Sequence, residues 1–251
     1  MDWRKYQDQQ RVAELGDRFM SYVDRGEGQP LVLLHGAPTW GYVWHAVLPE
    51  LEKRRRVVVP DLLGYGWSDR SDRFARGAAA QAEAVSSLLQ HLGLDHVDVA
   101  GHDVGAAVAM RLAAFEPRRV GRLALLSAAC YDAMAPVPDR RLQEGFSKPE
   151  PATLAGLLAP YRTEAGRLSL ARNVAALDPN HTMELVPHLP RLDAPALILW
   201  GDEDPFRPVD YARRLAADLP KAQLSVLKQA RHFLPLERPD TTASLLLNFL
   251  N

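Results

Sequence analysis

A mostly parallel β-sheet covered by helices on both faces is the fold class that the sequence predicts. Short apolar runs such as Leu31-Val32-Leu33-Leu34, Val57-Val58-Val59 and Leu197-Ile198-Leu199 have strand length and no polar face, as strands buried on both sides require. Helical stretches alternate with these runs, the pattern of crossovers between parallel strands. A chain of 251 residues at 47% hydrophobic content holds one such domain with an insertion.

Taken in order, strands are expected near 19–24, 31–35, 56–60, 97–102, 121–128, 195–200 and 222–228, and helices near 42–53, 77–92, 104–116, 208–218 and 238–250. The run Lys53-Arg54-Arg55-Arg56 falls where the first of these helices ends, so it reads as solvated cations complementing the helix dipole. Residues 130–192 break the alternation. They carry prolines at 136, 138, 149, 151, 160, 179, 187 and 190, with helical stretches near 153–158 and 164–177. Phe146, Leu154, Leu157, Leu158, Leu168, Leu170 and Val174 give this segment apolar faces to bury. The expected organisation is a core of residues 1–129 and 193–251, with a short helical cap inserted at 130–192.

A formal net charge of −1 supplies no long-range field for nucleic acid or an acidic membrane, which leaves a small-molecule substrate as the expected partner. The start, Met1-Asp2-Trp3-Arg4-Lys5-Tyr6, has no apolar signal core, and no later run approaches membrane-spanning length. Cys130 is the single cysteine, so an intrachain disulfide is excluded and a cytoplasmic location is expected, with Cys130 as a buried small side chain. Neither metal-ligand spacing nor a phosphate-cradling glycine loop is present, so no metal or cofactor is expected. Oligomeric state stays open.

The chemistry concentrates in Gly101-His102-Asp103-Val104-Gly105, which follows an apolar run and opens an alanine-rich helix. Glycines on a sharp strand-to-helix turn let neighbouring backbone approach closely, and the central residue is thrust out as a nucleophile. Here that residue is a carboxylate. It is anionic at neutral pH and needs no base for a first attack on a saturated carbon. Upstream, His35-Gly36-Ala37-Pro38-Thr39-Trp40 forms a turn after a strand, and Ala37 is the residue whose N–H is assigned to a developing negative charge. Downstream, Gly201-Asp202-Glu203-Asp204-Pro205 places an acid past a strand end, and Arg231-His232-Phe233 follows the last strand. The order nucleophile, acid, histidine, each at a strand's carboxyl end, is a strong signal where each piece alone is weak.

From about Phe19 to the C-terminus these motifs, with the Asp61 to Asp69 turn, resemble the α/β-hydrolases of the haloalkane dehalogenase and epoxide hydrolase branch. The resemblance implies an α/β-hydrolase fold with an eight-stranded sheet, Asp103 as nucleophile, His232 as base and Asp204 as the acid orienting it. It also implies an oxyanion hole from the backbone N–H groups of Ala37 and Val104. Asp204 is preferred to Asp202 because the family spaces the acid as Gly-x-x-Asp; His35 and His102 read as supports.

Two departures bear on substrate. Haloalkane dehalogenases hold the departing halide with a tryptophan after the nucleophile and a second donor from the cap or the His-Gly-x-Pro turn; here the corresponding positions are Val104 and Ala37, and no tryptophan lies in 130–192. Fluoroacetate dehalogenases carry arginines where this chain has Val104 and Ala107. Epoxide hydrolases protonate the leaving oxygen with cap tyrosines, for which Tyr131 and Tyr161 are the candidates, and Trp40 is a further expected substrate contact. The expectation is a cofactor-free hydrolase that forms an alkyl ester on Asp103 from a small to medium apolar substrate, dehalogenase-like or epoxide-hydrolase-like. A natural-product tailoring enzyme and a non-catalytic receptor on the same fold are the alternatives.

Overall fold

The computed structural model describes residues 1–134 and 139–251, with no side-chain detail for 139–141; Pro136 and Pro138 therefore lie outside the described residues. Eight strands form one sheet: β1 (Arg11–Leu15), β2 (Arg18–Arg25), β3 (Pro30–Leu34), β4 (Arg56–Pro60), β5 (Val97–His102), β6 (Val120–Leu126), β7 (Ala196–Gly201) and β8 (Ala222–Leu227). Their spatial order is β1-β2-β4-β3-β5-β6-β7-β8, parallel from β4 onward and antiparallel at β1 and β2. The helices are α1 (Trp3–Gln7), α2 (Leu48–Leu51), α3 (Ala78–His91), α4 (Val104–Phe115), α5 (Pro151–Leu157), α6 (Glu164–Ala175), α7 (Asn180–Met183), α8 (Val209–Asp218), α9 (Leu234–Glu237) and α10 (Pro239–Leu250).

The central strands bury both faces because their apolar residues alternate between two cores. Val32, Leu34 and Val58 join the core under α3, α4 and α8, whereas Leu31, Leu33, Val57 and Val59 join the core under α1, α2 and α10. The strand order reverses between β3 and β5, and such a switch point leaves a crevice at the strands' carboxyl ends where ligands bind. The elements between β6 and β7 pack onto the loops at that edge. Trp40 Nε1 donates to the Gly156 carbonyl, Tyr161 Oη to Thr39 O, Ser169 Oγ to Gly64 O and Asn173 Nδ2 to Leu63 O.

Three expectations need correction. The helix expected at 42–53 is a short 3₁₀ turn over Gly41–Trp44 followed by α2, whose Pro49 removes an N–H and starts a new helix rather than continuing one. The strand β1 and helix α1 were not foreseen; β1 pairs with β2 across the two-residue Gly16-Asp17 turn, where Gly16 has φ 73°. Of the run Lys53 to Arg56, the first two are exposed past the end of α2 as expected, but the last two are not solvated cations. Arg55 is buried, donating to the Leu250 carbonyl and to Asp98, and Arg56 opens β4 paired with Asp24.

Asp98 also accepts from the Arg122 N–H, so its carboxylate ties β5, β6 and the residue before β4 together. Removing one partner of a buried ion pair leaves the other charge uncompensated, so Asp98→Ala is expected to cost about 3 to 5 kcal/mol. A urea midpoint unchanged from the native protein would refute this.

Candidate active site

Asp103 sits at the junction of β5 and α4 with φ 51° and ψ −118°, a conformation that an L-residue adopts only when its surroundings impose it. The surroundings here are close backbone crossings. A Cβ on Gly105 would lie 2.4 Å from the Leu34 carbonyl oxygen, and one on Gly36 would lie 2.5 Å from Asp103 Cβ. Glycine at these two positions is what lets the β3 turn and the β5 turn touch.

The β3 turn is fixed by His35, which is fully buried. Its Nε2 accepts from the Leu62 N–H at 2.9 Å while Nδ1 donates to the Gly36 carbonyl, which also accepts from Thr39 Oγ1. With Gly36 O engaged on that side, the Ala37 N–H points at Asp103 Oδ2, at 3.2 Å. The Val104 N–H also donates to the Asp103 carboxylate. Both proposed oxyanion donors thus face the same side chain.

Asp204 follows β7 and is positioned by its own loop: Oδ1 accepts from the N–H groups of Phe206 at 2.9 Å and Arg207 at 3.0 Å. Its Oδ2 meets His232 Nδ1 at 2.8 Å, and His232 Nε2 lies 4.0 Å from Asp103 Oδ1. Asp202 instead pairs with Lys228 at 3.4 Å. His102 donates from Nε2 to the His232 carbonyl, supporting the backbone of that residue. The side chains of His102, Asp103, Asp204 and His232 are buried.

The residue that sequence reasoning missed is Arg207. Its Nη2 donates to Asp103 Oδ1 at 2.7 Å, with 2% of the arginine side chain exposed and 1% of the aspartate. Its place three residues beyond the acid carries no signal by itself, because the fold-back is set by the Asp204 loop. Burial pushes the Asp103 carboxyl up, but Arg207 first, then His232, His102 and the Val104 N–H, outweigh it and hold the group below the usual carboxylate range. Asp204 is likewise pushed up by burial and held down more strongly by His232 and by the N–H groups of Phe206 and Arg207. Both acids are therefore anionic at neutral pH.

The residues expected to contact substrate spend their polar atoms elsewhere. Tyr131 Oη donates to Asp218 at 2.6 Å, with Arg214 over its ring. Tyr161 Oη donates to Thr39 O at 3.0 Å, and the fully buried Trp40 stacks on Tyr42 and bonds Gly156 O. Two histidines of 130–192 pack on the core instead: His181 against Gly77 at the start of α3, and His188 on Phe115. Cys130 is buried with its thiol pushed up to about 12 by desolvation. No cluster able to hold a metal occurs among the described residues, and no described helix is long and apolar enough to cross a membrane.

A buried carboxylate on a strained turn, two backbone N–H donors to that carboxylate and a histidine backed by an acid 4.0 Å from its Oδ1 define the site of an α/β-hydrolase. The sequence matches that family over residues 29–164, more than half of the chain, and the protein belongs to it. It is a hydrolase similar to haloalkane dehalogenase 2 of Mycobacterium tuberculosis, at 29% identity across 90% of this chain and 89% of that protein. It is also similar to 2-hydroxy-6-oxononadienedioate/2-hydroxy-6-oxononatrienedioate hydrolase 2 of Pseudomonas putida, at 30% identity across 96% of this chain and 94% of that one. In structure, an α/β-hydrolase fold protein from Burkholderia ambifaria superposes with a TM-score of 0.84 at 24% identity, covering 95% of this chain and 99% of that chain.

Proposed function

We propose that the protein hydrolyses a small electrophile through an alkyl ester on Asp103, with 130–192 as the cap over the site. The observation that carries this reading is the division of labour between the two carboxylate oxygens. Oδ2 is held by the Ala37 N–H and Oδ1 faces His232 Nε2, so Oδ1 is the attacking atom.

In the first step the Oδ1 lone pair forms a C–O bond while the electron pair of the broken bond departs with the leaving group. Histidine has no proton to move in that step. In the second, His232 takes a proton from water, hydroxide adds to the ester carbonyl, and the oxyanion forms at Oδ2 against Ala37 and Val104. Collapse expels the product alkoxide, which recovers the proton from His232. The hydroxyls of Tyr131 and Tyr161 are already engaged, which favours a leaving group that departs without a proton, such as halide, over a ring oxygen.

The test is a His232→Ala variant incubated with a 1-bromoalkane, a 2-bromoalkanoate and a terminal epoxide. The expected result is a protein heavier by the alkyl fragment, with the adduct on the peptide containing Asp103 and no adduct in Asp103→Ala. A single turnover of the unmodified enzyme in heavy-oxygen water should deliver unlabelled oxygen to product. Label in the product from that first turnover would mean that water attacks the substrate directly, and the aspartyl-ester reading would fall.

A further inference from the structure

Arg207 poses a chemical problem for the first step. Its guanidinium donates to Oδ1, the same oxygen that must attack, and a charged donor on a nucleophilic lone pair lowers its reactivity. Nor is this a mobile surface cation. The Arg207 N–H is held by Asp204, its carbonyl accepts from Trp200 Nε1 at 2.7 Å, and Nη1 donates to Phe206 O at 3.2 Å. The fold has built a buried cation onto the nucleophile from the loop that carries the acid.

A neutral electrophile gives that guanidinium no reason to release Oδ1. An electrophile whose reacting carbon bears a carboxylate does. When Oδ1 approaches a saturated carbon, the substituents of that carbon project sideways from the line of attack, and Arg207 Nη2, 2.7 Å from Oδ1, is within reach of them while Oδ2 is held by Ala37. A carboxylate among those substituents is a planar two-oxygen acceptor matching the guanidinium fork. Exchange of Arg207 from Asp103 to the substrate would uncover the nucleophile, and it would cancel the repulsion between two carboxylates in a site that excludes water.

We propose that Arg207 is a specificity-determining substrate contact, and that the substrates are short carboxylic acids carrying their leaving group on the carbon next to the carboxylate. This rests on the aspartyl-ester reading and adds the substrate class to it. Such carbons are activated towards displacement by the adjacent carbonyl carbon, which offsets the lack of side-chain halide donors at Val104 and Ala37. In the step itself, Oδ1 forms the C–O bond and the halide leaves with the C–halogen electron pair. Arg207 stays protonated throughout, with its charge passing from the Asp103 carboxylate to the substrate carboxylate. Hydrolysis of the ester then yields a 2-hydroxy acid.

The test compares 2-bromopropanoate with 2-bromopropanamide, which differ in charge but present the same reacting carbon. The native enzyme is expected to favour the acid in kcat/KM at least 100-fold, and Arg207→Gln should erase most of that ratio, with Arg207→Lys between the two. Binding is measured separately in Asp103→Asn, which has no nucleophile: propanoate should bind at least 10-fold more tightly than propanamide, and Asp103→Asn/Arg207→Gln should bind them alike. The binding arm stands even if Arg207→Gln alone does not fold, because the double variant removes both charges together. Equal turnover of acid and amide by the native enzyme, or equal binding by Asp103→Asn, would overturn the proposal while leaving the ester mechanism intact. An absence of adduct from both bromides in His232→Ala would remove the mechanism and the proposal together.

Discussion

Between pH 6.5 and pH 4 the protein is expected to lose about 6 kcal/mol of stability, enough to unfold a domain of ordinary stability. The cause is three buried histidines. Burial lowers His35 and His45 to about 4 and His102 to about 3, the last with a further push from His232. His35 shows why in atoms, since its Nε2 is already accepting the Leu62 N–H and cannot take a proton without breaking that bond. Unfolded histidine titrates near 6.5, so below that pH the unfolded chain binds more protons than the native one and stability falls. Each histidine forfeits about 3 kcal/mol by pH 4. Asp61 opposes this, because burial raises its carboxyl to about 6 and the native state takes up its proton first; it returns roughly 2 to 3 kcal/mol over the same range. The urea midpoint should therefore decline steadily from pH 6.5 downward. A midpoint that stays level to pH 4.5 would show that these side chains titrate normally.

Where a structural feature depended on local pattern, the sequence disclosed it; where it depended on which side chains meet across the fold, it did not. The buried strands β3, β4 and β7 were legible because their apolar runs admit few other readings, and α4 because an alanine-rich stretch follows a Gly-x-Asp-x-Gly turn. The antiparallel strand β1 was not, since Arg11-Val12-Ala13-Glu14-Leu15 places just two of its residues against the core under α3, one of them only partly buried. Asp103, Asp204 and His232 could be named because each stands at a strand's carboxyl end in a fixed order. Arg207 could not, because nothing in Pro205-Phe206-Arg207-Pro208 says that the Asp204 turn folds the arginine back onto a residue 104 positions earlier. The same limitation misassigned Arg55, whose partner Asp98 lies two strands away in the sheet.

Asp204→Asn is expected to separate the two chemical steps. The substitution keeps the shape of the side chain, and its remaining oxygen can still accept from the Phe206 and Arg207 N–H groups. Its amide then presents N–H where Oδ2 stood, facing His232 Nδ1 at 2.8 Å. Two donors cannot share that contact, so the imidazole is driven to the tautomer with its proton on Nε2, the atom that must take a proton from water. Attack by Asp103 needs no base and should slow by less than about tenfold, whereas ester hydrolysis should slow by on the order of 10⁴, as when the acid of a serine triad is replaced by its amide. Rapid-quench measurement with a bromide substrate should show one equivalent of halide released per enzyme in a burst, then almost no turnover, with the mass adduct persisting. A mechanism in which histidine activates the nucleophile of the first step, or in which water attacks the substrate directly, requires His232 for the release of halide itself. It predicts slow halide release with no burst and no adduct, and that outcome would exclude Asp103 as the attacking group.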